Sequence, residues 1–181
     1  MNCVPQVFAF PAACSPEMGG LEAIYIASPD EVKITTNAAA GTATLAAVTS
    51  GAKPFYKWEL APNSSSLVST AQVSSANNTR FWQHVLTAVL NNFQPSTAGA
   101  NILSRLTRLC VVVQTRSGHQ LLVSAEKELS AAVSRGAEVT GLEINQGTQR
   151  ADASGRATLT AQLDSRLGTF SVNLYQSLIN S

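Results

Sequence analysis

Residues 156–164 place Ala157, Leu159, Ala161 and Leu163 on one side of an extended chain and Thr158, Thr160, Gln162 and Asp164 on the other. A period of two held over that length is the pattern of a half-buried strand. Residues 136–145 carry the same alternation in two phases, first through Ala137 and Val139 and then through Leu142 and Ile144. The slip of one residue at Thr140-Gly141 predicts a β-bulge at Gly141. Between the stretches, Gly147, Asp152, Ser154 and Gly155 are turn formers, several of them tolerant of positive φ. The connection is too long for a two-residue turn unless the strands extend into it. Long alternating strands with few reactive side chains around them point to building material rather than to catalysis.

Composition sharpens that reading. Charged residues are 13% of the 181, against 45% hydrophobic, and Ser, Thr, Ala and Asn fill much of the rest. So charge-poor a surface suggests burial against copies of the same chain or other chains; an Ala/Ser/Thr-rich monomer is the alternative. The net charge of +1 and the absence of a Lys/Arg cluster argue against tight sequence-independent binding to nucleic acid. Cys3, Cys14 and Cys110 form no CxxC pair; Cys110, in Leu109-Cys110-Val111-Val112-Val113, reads as a buried thiol. Cys3 and Cys14 could approach each other but read as reduced. The N-terminal stretch lacks a basic region and is broken by prolines, unlike a signal peptide, and no apolar run is long enough to span a membrane as a helix.

The length suits one domain, read as residues 21–181 behind an extended arm at 1–20. Pro5, Pro11, Pro16 and Gly19-Gly20 exclude a regular helix or central strand from that arm, and Val4, Val7, Phe8 and Phe10 require it to pack on something. Leu21–Ala27 reads as a strand covered on both sides, with Leu21, Ala23, Tyr25 and Ala27 on one face and Ile24 and Ile26 on the other. Ser28-Pro29-Asp30 reads as a turn. Residues 31–36 and 43–48 read as weaker strands around a turn at 37–41. Residues 55–60 alternate again, with Tyr56, Trp58 and Leu60 against Lys57 and Glu59. The Ser/Asn-rich residues 62–79 read as a strand pair or a long projecting loop suited to contact with another subunit. In residues 80–93, Trp82, Val85, Leu86, Val89, Leu90 and Phe93 fit helical spacing, although a strand buried on two faces also fits; periodicity alone favours helix. Thr97 can cap a helix through about Arg108, and 109–115 with 119–125 form a hairpin around Arg116-Ser117-Gly118. The fold class expected is mainly β, a sandwich or small barrel with one flanking α-helix.

No phosphate loop, GxSxG elbow, HExxH pair or Cys/His cluster of metal-ligand spacing occurs in the sequence. His84, in an apolar stretch, reads as a packed residue and His119 as a solvated one beside a turn. Asp152 in a turn region and Asp164 at a strand end are explained by capping and solvation. No residue is assigned a catalytic, cofactor-binding or metal-binding role, and no enzyme activity is expected.

The order of these elements resembles the major tail tube proteins of long-tailed bacteriophages, in particular those of phages of Bacteroidetes. The resemblance is carried by residues 20–28 (Gly-Leu-Glu-Ala-Ile-Tyr-Ile-Ala-Ser), the aromatic strand at 54–59, the segment 80–93 with a helix after it, the hairpin at 111–118, and the closing pair 141–164 with Asp152-Ala153-Ser154-Gly155 at its turn. It implies a β-sandwich whose copies form hexameric rings, with inner sheets closing into a continuous tube and the helix outside. The rings stack, an arm or long loop bridges neighbouring rings, and DNA and sometimes a tape-measure protein pass through the lumen. On this resemblance residues 1–20 and 62–79 are the bridging candidates, and 80–93 becomes a strand despite its spacing. The family usually has a negatively charged lumen, and this chain offers few acidic residues for one.

The expected partners are therefore the chain itself, tape-measure and tail-tip or terminator proteins, and DNA that passes without specific binding; no membrane is expected. The expected location is the virion tail, assembled in the host cytoplasm. A neck or tail-completion ring protein is a second reading. A secreted β-sandwich binding module, for which the sequons Asn63-Ser64-Ser65 and Asn77-Asn78-Thr79 give weak support, is a third.

Overall fold

The protein is described by a computed structural model covering residues 20–37, 39–61, 63–74, 79–90, 107–123, 137–145, 156–165 and 169–180. Its strands are β1 (Leu21–Ala27), β2 (Val32–Asn37), β3 (Thr42–Ala47), β4 (Phe55–Glu59), β5 (Ser66–Ser74), β6 (Thr79–Leu90), β7 (Arg108–Thr115), β8 (Gln120–Leu122), β9 (Ala137–Asn145), β10 (Arg156–Ser165), β11 (Phe170–Val172) and β12 (Ile179–Asn180). The fold is mainly β, and no α-helix occurs among the described residues. The expected arm, apart from Gly20, and residues 97–106 of the expected helix lie outside the described residues; Arg108 opens β7 instead of closing a helix.

All the strands belong to one mixed sheet whose path runs β2-β3-β11-β8-β7-β9-β10-β6-β5, with β1, β4 and β12 joined beside it. Among the described strands, only β11 with β3 and β12 with β4 pair in parallel. The sheet falls into two parts that share β7. Its first residues pair with β9, while the remainder pairs with β1 and with β8. Leu60, just past β4, bridges to Leu90 at the end of β6, so pairing runs continuously through β7, β9, β10, β6, β4 and β1 back to β7.

β1 and β7 sit where these two parts meet, and both of their faces are buried. Tyr25, Ala27, Cys110 and Val112 enter one core with Val32, Leu45, Phe55, Leu122 and Phe170. Ile24, Ile26, Leu109, Val111 and Val113 enter a second, formed with Leu86, Ala88, Leu90 and Leu159 of the long strands. A strand covered on both sides must be apolar at every position rather than at alternate ones, which is the pattern of both segments. The sequence assigned Leu21 to the Tyr25 face; a register shift between Leu21 and Ala23 turns it instead against the Ile24 core.

Local chemistry explains the short connections. Asn37 accepts a hydrogen bond from the Ala40 N–H through Oδ1 at 3.2 Å, and Gly41 takes φ 64°, closing the β2–β3 hairpin. Gly118, at φ 85°, does the same between β7 and β8. Ser28-Pro29-Asp30 opens a single 3-10 turn, with the Glu31 N–H bonded to the Ser28 carbonyl at 3.1 Å.

The helical spacing of residues 80–93 is overturned over 80–90, since Thr79–Leu90 is a continuous strand paired on both edges; residues 91–93 lie outside the described residues. Leu86, Ala88 and Leu90 are buried in the second core, while Phe81, Val85 and Val89 alternate on the opposite face. Apolar residues on both faces of a strand produce chance i, i+3 and i+4 coincidences, and pairing to two neighbours then decides against helix.

Candidate assembly surface

β5, β6, β10 and β9 form a four-stranded antiparallel unit of long strands. Directly paired residues share a face, so its rows can be followed from strand to strand. Leu67, Leu86 and Ala161 lie in one row on the core side. On the other face the rows are Ser66, Thr87, Thr160 and Gly141; Val68, Val85, Gln162 and Glu138; and Val89, Thr158 and Glu143. Arg108 stands opposite Glu138 at the margin of this face. The described side chains here are mostly hydroxyl, amide and Val groups, with both signs of charge confined to the β9 side. Nothing in this set resembles a nucleophile–base pair, and no cluster of metal-ligating side chains occurs among the described residues.

The predicted bulge is present. Thr160 pairs with Gly141 but Ala161 with Val139, leaving Thr140 as the extra residue, and its hydroxyl donates to the Thr160 carbonyl at 3.3 Å. Gly141 does not use a left-handed conformation, and a Cβ there would meet Thr160 only at van der Waals distance, 3.8 Å. The bulge follows from the phase slip of the apolar residues rather than from glycine's conformational freedom.

The two edges of the unit differ. β5 ends the strand order, and its sequence, SLVSTAQVS, has neither a charged residue nor a proline. Folded monomers ordinarily guard such an edge with Lys, Pro or a bulge; none of these is used in β5. Val68 and Val73 on it are 54% and 66% exposed. β9 is blocked by β7 at its start, through Leu109 with Ala137, Arg108 with Glu138, and the Val139 N–H bonded to the Thr107 carbonyl at 3.0 Å. Beyond the bulge, Gly141–Asn145 pairs only with β10 among the described strands.

The sequence singled out residues 62–79 as a contact region, and these supply β5 and the start of β6. It did not mark the β9 edge, although the lack of charge across 66–74 was there to be read. His84 is buried, accepts or donates a hydrogen bond with the Ser69 hydroxyl at 2.9 Å, and stacks on Trp82 with ring centroids 6.3 Å apart. It ties β5 to β6 near the middle of the hairpin. His119 is exposed beside the β7–β8 turn, and Cys110 is buried in the first core. Asp164 pairs with Gln83 near the end of β10; Asp152, Cys3 and Cys14 lie outside the described residues. Comparison of the chain with protein-family models, curated proteins and solved structures finds no match.

Proposed function

We propose that this protein is a structural subunit that self-assembles into stacked rings forming a phage tail tube, a conduit through which DNA leaves the virion. One observation carries the reading: a four-stranded antiparallel unit of long strands presents an unguarded, uncharged edge at β5 and a partly free one at β9. With an even number of strands, the β5 of one copy runs antiparallel to the β9 of the next when both copies point the same way. The unit can therefore be repeated around a ring without reversing a subunit, as heterologous closure requires.

On this reading the two parts of the sheet form a sandwich or barrel, with the expected helix, now confined to 97–106, on its outside. The long-strand unit joins its neighbours around the bore. Six copies per ring, bridging contacts through residues 1–20 and 62–79, and tape-measure and tail-tip partners are what the family resemblance adds. A tail-completion ring would share the edges but stop at one ring.

Negative-stain electron microscopy of concentrated protein, beside its mass by light scattering, tests the proposal. Tubes or stacked rings with a central channel are expected. Single rings alone would favour the completion protein, and a monomer at every concentration, even with tail-tip nuclei added, would overturn both.

A further inference from the structure

The two edges also specify how neighbouring copies must be staggered. We infer that the seam between copies pairs Leu142 with Ser69, and with it Gly141 with Thr70, Glu143 with Val68, Ile144 with Leu67 and Asn145 with Ser66, and that the Thr/Gln face lines the bore. This rests on the ring assembly proposed above.

The hydrogen-bonding direction of each edge comes first. The Val89 N–H donates to Ser65 Oγ at 2.9 Å and its carbonyl accepts from the Ala61 N–H at 2.8 Å, so odd-numbered β6 residues turn toward the β5 side. Following the registers outward, the odd residues of β5, including Leu67 and Ser69, turn their own N–H and C=O groups away from the unit. The same alternation across β10 turns Leu142 and Ile144 of β9 away on the other side. Of the outward residues, Leu67, Ser69 and Leu142 lie on the core face, so a seam that keeps core face with core face also brings donors to acceptors. A shift by one residue would lose both at once.

Only even staggers survive, and two limits choose among them. Because β7 occupies β9 up to Val139, the edge left open among the described strands is Gly141–Asn145, and residues 71–74 of the incoming β5 must turn away from β9 before they meet β7. Within a copy Gly141 is level with Ser66, so the proposed pairing of Gly141 with Thr70 climbs four residues for every four strands. At ~3.4 Å per residue and ~4.8 Å per strand this tilts the strands by about 35°, whatever the number of copies. Pairing Gly141 with Val68 would tilt them by only about 19° and leave Ile144 and Asn145 without partners in β5, while pairing it with Gln72 would tilt them by about 47°. Closed barrels typically tilt by ~35–45°.

The sense of the climb identifies the inner face. Viewed from the core face with β6 running upward, its even residues point side chains at the viewer, and L-chirality then sends their N–H and C=O groups, and hence β10, to the right. β5 lies on the left and runs downward. Right-handed tilt seen from outside carries each row downward as it passes to the right, toward later residues of the next β5, as from Ser66 to Thr70. Turning the Thr/Gln face outward would require the opposite tilt. DNA would accordingly pass hydroxyl, amide and Val groups, with Glu138 and Glu143 of each copy the described carboxylates on that face.

Paired cysteines in a Cys3→Ser, Cys14→Ser background read the register directly. Glu143 and Val68 of one copy are three strands and four residues apart, roughly 20 Å, beyond the ~4.4–6.8 Å that a disulfide spans, so a Glu143→Cys/Val68→Cys bond can form only between copies. Assembled tubes under mild oxidant should give a covalent ladder with this pair, and several-fold less with Glu143→Cys/Ser66→Cys or Glu143→Cys/Thr70→Cys. A stronger ladder from either of the other pairs overturns the stagger. Intact tubes with no ladder from any pair overturn the seam while leaving the tube reading standing. Parent protein that forms no tubes removes both.

Discussion

β1 and β7 on one side, β5 and β9 on the other, are strands that put their apolar residues to different uses. In β1 and β7 both faces are buried within the chain, and every side chain from Ala23 to Ala27 and from Leu109 to Val113 is enclosed. In β5 the exposed positions include Val68, Ala71 and Val73, and one whole edge has no partner among the described strands. The same chemistry that makes an interior strand stable makes an open edge adhesive. Burial inside one chain is a stability device, and an uncharged edge left open is an assembly device.

The largest effect should come from the two-sided region. Phe55→Ala, at the centre of the first core, should cost about 3–5 kcal/mol in chemical denaturation. A loss below ~1 kcal/mol would mean that this core is not the one that holds the chain together. Ile24→Ala should cost ~2–5 kcal/mol through the second core, and the two losses should add, because the faces do not share side chains. Strong coupling between them would break the distinction between the two cores.

The open edge should respond in the opposite way. Ser69→Pro removes an outward N–H, so the chain should still fold while rings and tubes disappear from electron micrographs. Ser69→Ala, which loses only the His84 hydrogen bond, should cost ~0.5–1.5 kcal/mol and leave assembly intact. Equal assembly by the two variants would show that β5 is not the seam. The smallest change is expected for Gly141→Ala, within about 0.5 kcal/mol by thermal unfolding, since the added Cβ meets only ordinary contacts.

How legible these regions were in sequence follows from how locally their physics is written. The β9–β10 pair and its bulge were readable because one face is buried and one is not, so alternation and its phase slip are printed in the residue order. β1 was equally plain, since Ile24 and Ile26 leave no polar face. β6 was not, because Trp82, Val85, Leu86 and Val89 serve both periods and only pairing to β5 and β10 resolves them. The β9 edge could not be seen at all, as its openness among the described strands depends on where β7 begins, a fact of register between residues about thirty apart in sequence.

Amide hydrogen exchange compared between assembled and dissociated protein tests the central claim most directly, because it observes the edges themselves. The N–H groups of Leu67, Ser69, Leu142 and Ile144 should exchange freely in the monomer and become protected on assembly, with those of β1 and β7 protected in both. Assemblies in which the four edge amides still exchange as in the monomer would contradict the account.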